Sequence, residues 1–173
     1  MSELINQSKI IYNEIDSTSE KQYKAFIKNI EKLIRSSQEY KYWVYKQRSS
    51  KKLICPITKI SGDLLKNQLE LHHHPYTLFE LVEAALEKLQ ADYMFNPKYD
   101  KRFYVINQIS SFDVAKYVIE LHLIDIIPYV PILSSYHRLY HSGDLDYTFK
   151  PEDIINFEKI DILKQELSDL KGK

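Results

Sequence analysis

Half of the chain's six histidines stand side by side in "LELHHHPYTLFEL", at His72, His73 and His74, between a strand-like run and a proline. Consecutive side chains point to opposite faces of a strand and in widely separated directions on a helix, so three adjacent imidazoles cannot all enter one apolar core. At least one must meet solvent, a metal or a substrate. Two more, His137 and His141, are four apart in "SSYHRLYHSG". On a helix that spacing puts both rings on one face, close enough to chelate one divalent ion. The zincin pattern requires a glutamate directly after the first histidine; Arg138 stands there, which disfavours a metalloprotease of that kind. A third ligand has to come from the triplet, the only other histidine cluster. His122, between Leu121 and Leu123, reads as a boundary or core histidine. The plain alternatives are a solvated polar turn for the triplet and two surface histidines on an amphipathic helix.

The elements that carry these residues follow from periodicity. "STSE" offers a capping box, Ser17 with Glu20, before apolar residues at three- and four-residue steps from Tyr23 to Ile34, which predicts an amphipathic helix. Residues 1–16 read as a loose arm. For "SQEYKYWVYKQRSSKK" a second helix and a strand over Tyr40 to Tyr45 both fit. "KLICPITKISGDLLKNQLEL" reads as a β-hairpin turning at Gly62 and ending at the histidines. Thr77 and Glu80 form a second capping box, and Leu78, Val82, Ala85, Leu86 and Leu89 give the next helix an apolar stripe. After a polar connector around residues 91–110, Ser111 caps a helix to about Ile124. "IIPYVPIL" is extended because its two prolines exclude a helix interior. "SSYHRLYHSG" is a short helix capped by Ser134 or Ser135 and stopped by Gly143. Pro151 opens a C-terminal helix whose packing stripe is Ile160, Leu163, Leu167 and Leu170.

Composition narrows the function classes. With 173 residues the chain is most simply one domain. Its 24 basic and 24 acidic residues balance, which excludes a simple DNA-coating protein, so any nucleic-acid surface must come from local clustering. Such a cluster exists in Lys46, Arg48, Lys51 and Lys52 beside Tyr40, Tyr42, Trp43 and Tyr45; a helix that buries its aromatics and wets its lysines explains the same pattern. The lone Cys55 excludes an intramolecular disulfide and fits a reducing, cytoplasmic setting. No export signal and no run of 18 apolar residues is visible, so membrane association is not expected.

The order of strand, "LELHH", proline, connector and "VPILSSYHRLYHSG" resembles the HNH, or His-Me finger, endonuclease superfamily, most of all its bacteriophage-encoded members. The likeness covers about Leu53 to Gly143. It implies an α+β, predominantly helical fold around a central β-hairpin plus helix, the ββα-metal finger. The corresponding organisation is an N-terminal helical region over 1–50, a nuclease core over 51–143 with a helical insert over about 76–128, and a C-terminal helix over 144–173. It further implies His72, His137 and His141 as ligands of a divalent ion (Mg²⁺, Mn²⁺, Zn²⁺ or Ni²⁺), and His73 as the general base that activates water against a DNA phosphodiester in a host cytoplasm. His74, with Lys46, Arg48, Lys51, Lys52 and Arg138, is left to contact nucleic acid.

Two departures from that pattern carry consequences. The family's middle asparagine falls on Pro128, so its hydrogen bond across the loop must be absent or supplied by another group. Of the two Cys-x-x-Cys pairs that hold a structural zinc in many relatives, only Cys55 remains; Thr58, Leu133 and Tyr136 take the other places, and no structural zinc is expected. The competing readings are a catalytically degenerate module that binds nucleic acid or protein, and a purely structural zinc protein.

Overall fold

The computed structural model describes residues 20–50, 52–62, 69–95 and 109–167. Helix α1 (Glu20–Ser36) buries Phe26, Ile27, Ile30 and Ile34, the stripe expected from its three- and four-residue spacing. Helix α2 (Gln38–Ser50) settles the open choice at Tyr40 to Tyr45 in favour of a helix. It turns Tyr40, Trp43 and Gln47 inward and leaves Tyr42 and Tyr45 exposed, so the aromatics divide between core and surface. Helix α3 (Leu78–Phe95) starts at the predicted box: the Glu80 amide donates to the Thr77 hydroxyl, and the Thr77 amide donates to the Glu80 carboxylate. It extends further into the expected connector than its sequence suggested. Helix α4 (Ser111–Leu123) is capped by Ser110, not Ser111, in a reciprocal box with Asp113. Ser111 is itself buried as the first helical residue.

The strands differ most from expectation. Strand β1 (Leu69–His73) does not close a hairpin with the segment before it. It pairs antiparallel with β2 (Tyr129–Leu133), the "YVPIL" run, in a register that sets His72 opposite Val130 and His73 opposite Tyr129. Around Gly62 only an isolated bridge, Ile54 to Ser61, takes strand geometry among the described residues. Two runs that each bury nearly every residue find more cover against one another, under helices, than a local turn provides. Pro131 fits because a two-stranded sheet has only edge strands. Tyr129 also exchanges both backbone bonds with Ile155.

Helix α5 (Ser134–Ser142) leaves β2 directly and packs on both strands. Its N-cap is Leu133, with no side-chain cap; Ser134 and Ser135 already lie inside the helix. Gly143 ends it as expected, with φ of 79° in the left-handed region. The C-terminal region is not one helix. Two 3₁₀ turns (Pro151–Asp153 and Phe157–Lys159), separated by Asn156 at φ 62°, precede a short α6 (Ile160–Glu166). Leu163 and Leu167 are buried as the stripe required, and Leu170 lies outside the described residues.

The result is an α+β arrangement, mostly helical, with one small antiparallel sheet. Helix α5 covers one face of the sheet, while the other meets α2 and α4. Helices α1, α3 and α4 pack on one another behind it, and buried residues from every layer form one continuous core. No helix of the described residues is long and apolar enough to cross a membrane.

Candidate metal centre and the buried histidine pair

Alternation along β1 separates the triplet. Glu70 and His72 share the α5 face, and His73 points to the opposite one. On the α5 side, the four-residue spacing of His137 and His141 aligns their rings over His72. Nδ1 of His72 and Nε2 of His141 each lie 2.9 Å from Nε2 of His137. One nitrogen from each of the three residues falls within 4.8 Å of the other two. The other ring nitrogen of His137, Nδ1, faces the Glu70 carboxylate. That contact fixes the tautomer: Nδ1 donates to Glu70, and Nε2 presents its lone pair to the cluster, the orientation a carboxylate imposes on a metal-bound histidine.

The electrostatics favour the neutral rings of His72 and His141. Burial, reinforced by the neighbouring imidazoles, lowers the pKa of His72 to about 3. Burial and His137 also lower that of His141, against the pull of Glu70. At Glu70 burial raises the pKa, yet the hydrogen bonds from Ser134 and His137 outweigh it and hold the carboxylate ionised. Three imidazole nitrogens converging on one point, with an anion behind them, fit a divalent cation, and the donor type suits a transition metal better than magnesium.

His73 has a different environment from the one its sequence suggested. It is 5% exposed, with its ring stacked near Tyr40 and Trp43 at 6.4 Å each. Its Nε2 is 2.9 Å from Nε2 of His122, which is fully buried, and Nδ1 of His122 is 2.7 Å from the carbonyl of Val118. The proton positions follow by elimination. A carbonyl only accepts, so His122 Nδ1 carries its proton and Nε2 its lone pair; His73 Nε2 must then donate, which leaves the lone pair of His73 on Nδ1. Burial is also the first reason that both rings stay neutral: the pKa of His122 falls to about 4, and that of His73 lies well below its free value. The general base that the resemblance implies at His73 is therefore a buried, pre-oriented and weakly basic imidazole.

His74, half buried, sits 6.2 Å from His72 and 5.1 Å from Phe149, ring to ring. Arg48 reaches from α2 to donate to the carbonyl of Leu69 at the start of β1. Lys46, Lys52 and Arg138 are exposed, and Lys51 lies outside the described residues. The basic group is thus not one patch: Arg48 braces the strand, while Lys46 and Arg138 occupy different helices.

Sequence reasoning missed Glu70, although its place two residues before His72 in an alternating strand was a usable signal. It also missed the role of His122 and a polar knot behind β2. There Asp125 accepts from Gln47 and Asn156, Gln47 accepts from Tyr129, and Asn156 donates to the carbonyl of Ile127. Pro128 itself accepts from the amide of His74. Cys55 is buried; although burial raises its pKa, hydrogen bonds from the Thr58 hydroxyl and from the amides of Thr58, Leu133 and Ile57 lower it overall. Leu133 and Tyr136 pack into the core at the places of the missing cysteines.

No curated protein and no solved structure matches the chain. The profile of one family does match, from residue 1 to residue 169, which takes in both histidine clusters and the core that holds them. The chain therefore belongs to the bacteriophage G278-like virion protein family.

Proposed function

We propose that this chain is a metal-dependent endonuclease of the HNH type that hydrolyses DNA phosphodiesters. The observation that carries the reading is the convergence of His72, His137 and His141 from β1 and α5, with Glu70 behind His137. The strand–strand–helix order around them agrees with a ββα-metal finger whose two strands are separated by a helical insert. A phosphodiester gains negative charge as water attacks, and a divalent ion held by the three imidazoles would supply the Lewis acid that stabilises it.

The chain's own residues do the rest. His72, His137 and His141 offer one ring nitrogen each, and Glu70 orients His137 through Nδ1. His73 remains the residue assigned as base, although its ring is buried on the face of β1 opposite the cluster, where Nε2 is anchored on His122 and only Nδ1 is left to accept a proton. His74 and Arg138 are assigned to the substrate phosphates. Asn156 takes over the bracing bond that Pro128 cannot make, because its side-chain amide donates to the carbonyl next in line at Ile127.

Purified protein incubated with supercoiled plasmid and Mn²⁺, Ni²⁺, Zn²⁺ or Mg²⁺ is expected to nick it, and chelator to stop the reaction. His73→Ala is expected to lower the rate about 10²- to 10⁴-fold, the usual contribution of a general base. If the variant cuts as fast as the parent, His73 is not the base. One observation favours a second reading: Pro128 stands where the family places its asparagine, and a catalytically degenerate module that binds nucleic acid without turnover has no need of that residue. Retention of DNA without cleavage under every metal supports it.

A further inference from the structure

Where α1 meets α2 the surface opens into a cleft of about 410 Å³, whose wall includes Arg35, Tyr40, Lys41, Tyr45 and Arg48. Three cations in one cleft of a chain with no net charge is a local concentration that calls for an anion. Among the described residues, Arg35 pairs with Glu31, 3.9 Å away along the same helix, and such a surface pair holds a guanidinium weakly. Arg48 donates one terminal nitrogen to the carbonyl of Leu69 at 2.6 Å, while its Nε is buried without an acceptor. The planar fork of a guanidinium matches the geometry of phosphate oxygens.

Two further features define the class of anion. Tyr42 and Tyr45 are 59% and 67% exposed and three residues apart on α2, so they offer aromatic faces to solvent beside the cations. An aromatic platform next to a cationic groove is the way proteins hold unpaired bases, and a phosphopeptide makes no use of it. The cleft also adjoins the histidines. Its wall residue Tyr40 stacks near His73 at 6.4 Å, and Arg48 is tied to the residue next to Glu70.

We propose that this cleft binds the backbone of a single-stranded nucleic-acid segment that leads to the histidine cluster, with Arg35, Lys41 and Arg48 on its phosphates and Tyr45 beneath a base. The proposal rests on the nuclease reading for the strand's destination, and its binding step needs no metal. The full chain in chelator is titrated, by fluorescence anisotropy, into a labelled single-stranded DNA and into a duplex of equal length, over a series of salt concentrations. The single strand is expected to bind more tightly.

Arg35→Gln with Lys41→Gln is expected to reduce the slope of log affinity against log salt by about 1.4, at about 0.7 per single-strand phosphate contact. Tyr45→Ala is expected to weaken the single strand at least about fivefold and leave the duplex unchanged. Lys21→Gln with Lys28→Gln, on a separate part of α1, is the control and is expected to change neither. Arg48 is left intact because it braces β1. Equal binding of strand and duplex, or an unchanged slope in the Arg35 and Lys41 variant, overturns the proposal. Cleavage is measured separately with metal. Binding as expected without cleavage overturns the nuclease reading alone, and cleavage unaffected by all cleft substitutions overturns the cleft alone.

Discussion

Glu70 gives the three histidines that meet the outer partner a metal centre would need. Its carboxylate touches no partner of the cluster other than His137 and does not complete the triad, yet it decides which nitrogen of His137 faces inward. Outer partners of this kind are worth about 10- to 100-fold in metal affinity. Glu70→Gln is therefore expected to weaken Zn²⁺ or Ni²⁺ binding by that factor in isothermal titration, with an unchanged circular dichroism spectrum, because Glu70 is only partly buried. Affinity equal to that of the parent would mean that the tautomer is set elsewhere. The same residue shows what a linear reading loses. The meeting of His72, His137 and His141 was legible because a four-residue spacing and an adjacent cluster name their own geometry, but the support was not sought on the strand. His122 was read as a core histidine and is one, fully buried. Nothing in "IELHLID" announces that its free nitrogen meets His73, since that contact joins a helix to a strand 49 residues away.

At the scale of elements, helices α1 and α3 were readable from periodicity and α4 and α5 from their start and stop residues, and Thr77 with Glu80 marked one boundary. The pairing of β1 with β2 was not. Hairpins are favoured by short loops, but His73 and Tyr129 meet across the helical insert, and only the burial of both faces specifies their register. The breaks at Asp125 and Asn156, both at positive φ, were also invisible, because polar contacts among distant segments hold those conformations. Asn156 carries most of this load. Its side chain bonds Asp125 and the carbonyl of Ile127, fastening the C-terminal segment to the start of β2. Asn156→Ala leaves a buried carbonyl without its donor and a β-carbon with no local hydrogen bond at φ 62°, so a loss of about 1–3 kcal/mol is expected. Urea denaturation measures it. A change smaller than about 0.5 kcal/mol would show that Lys159, which bonds the carbonyl of Asp125, suffices to hold the knot.

For the whole molecule, the buried pair couples folding to pH. His122 and His73 are neutral in the folded chain, with His122 at about 4 and His73 well below its free value, while both return to about 6.5 on unfolding. Between about pH 6.5 and 4 the unfolded chain therefore binds more protons, and stability falls as the pH falls; above 6.5 the pair contributes in full. The groups that face His122 reinforce this sign: the rings of Tyr40 and Trp43 exclude water, and the charge of Arg35 disfavours a second cation, whereas the Val118 carbonyl opposes it only in part. His122→Gln keeps an acceptor for His73 and removes one titrating ring. Melting temperatures taken in chelator from pH 7.5 to 4.5 are expected to fall steeply for the parent and less steeply for the variant, with the two curves separating below about 6.5. Parallel curves over that window would mean that the pair is not held neutral by the core. Carboxylate titrations such as that of Glu70, common to both proteins, would then account for the whole acid limb.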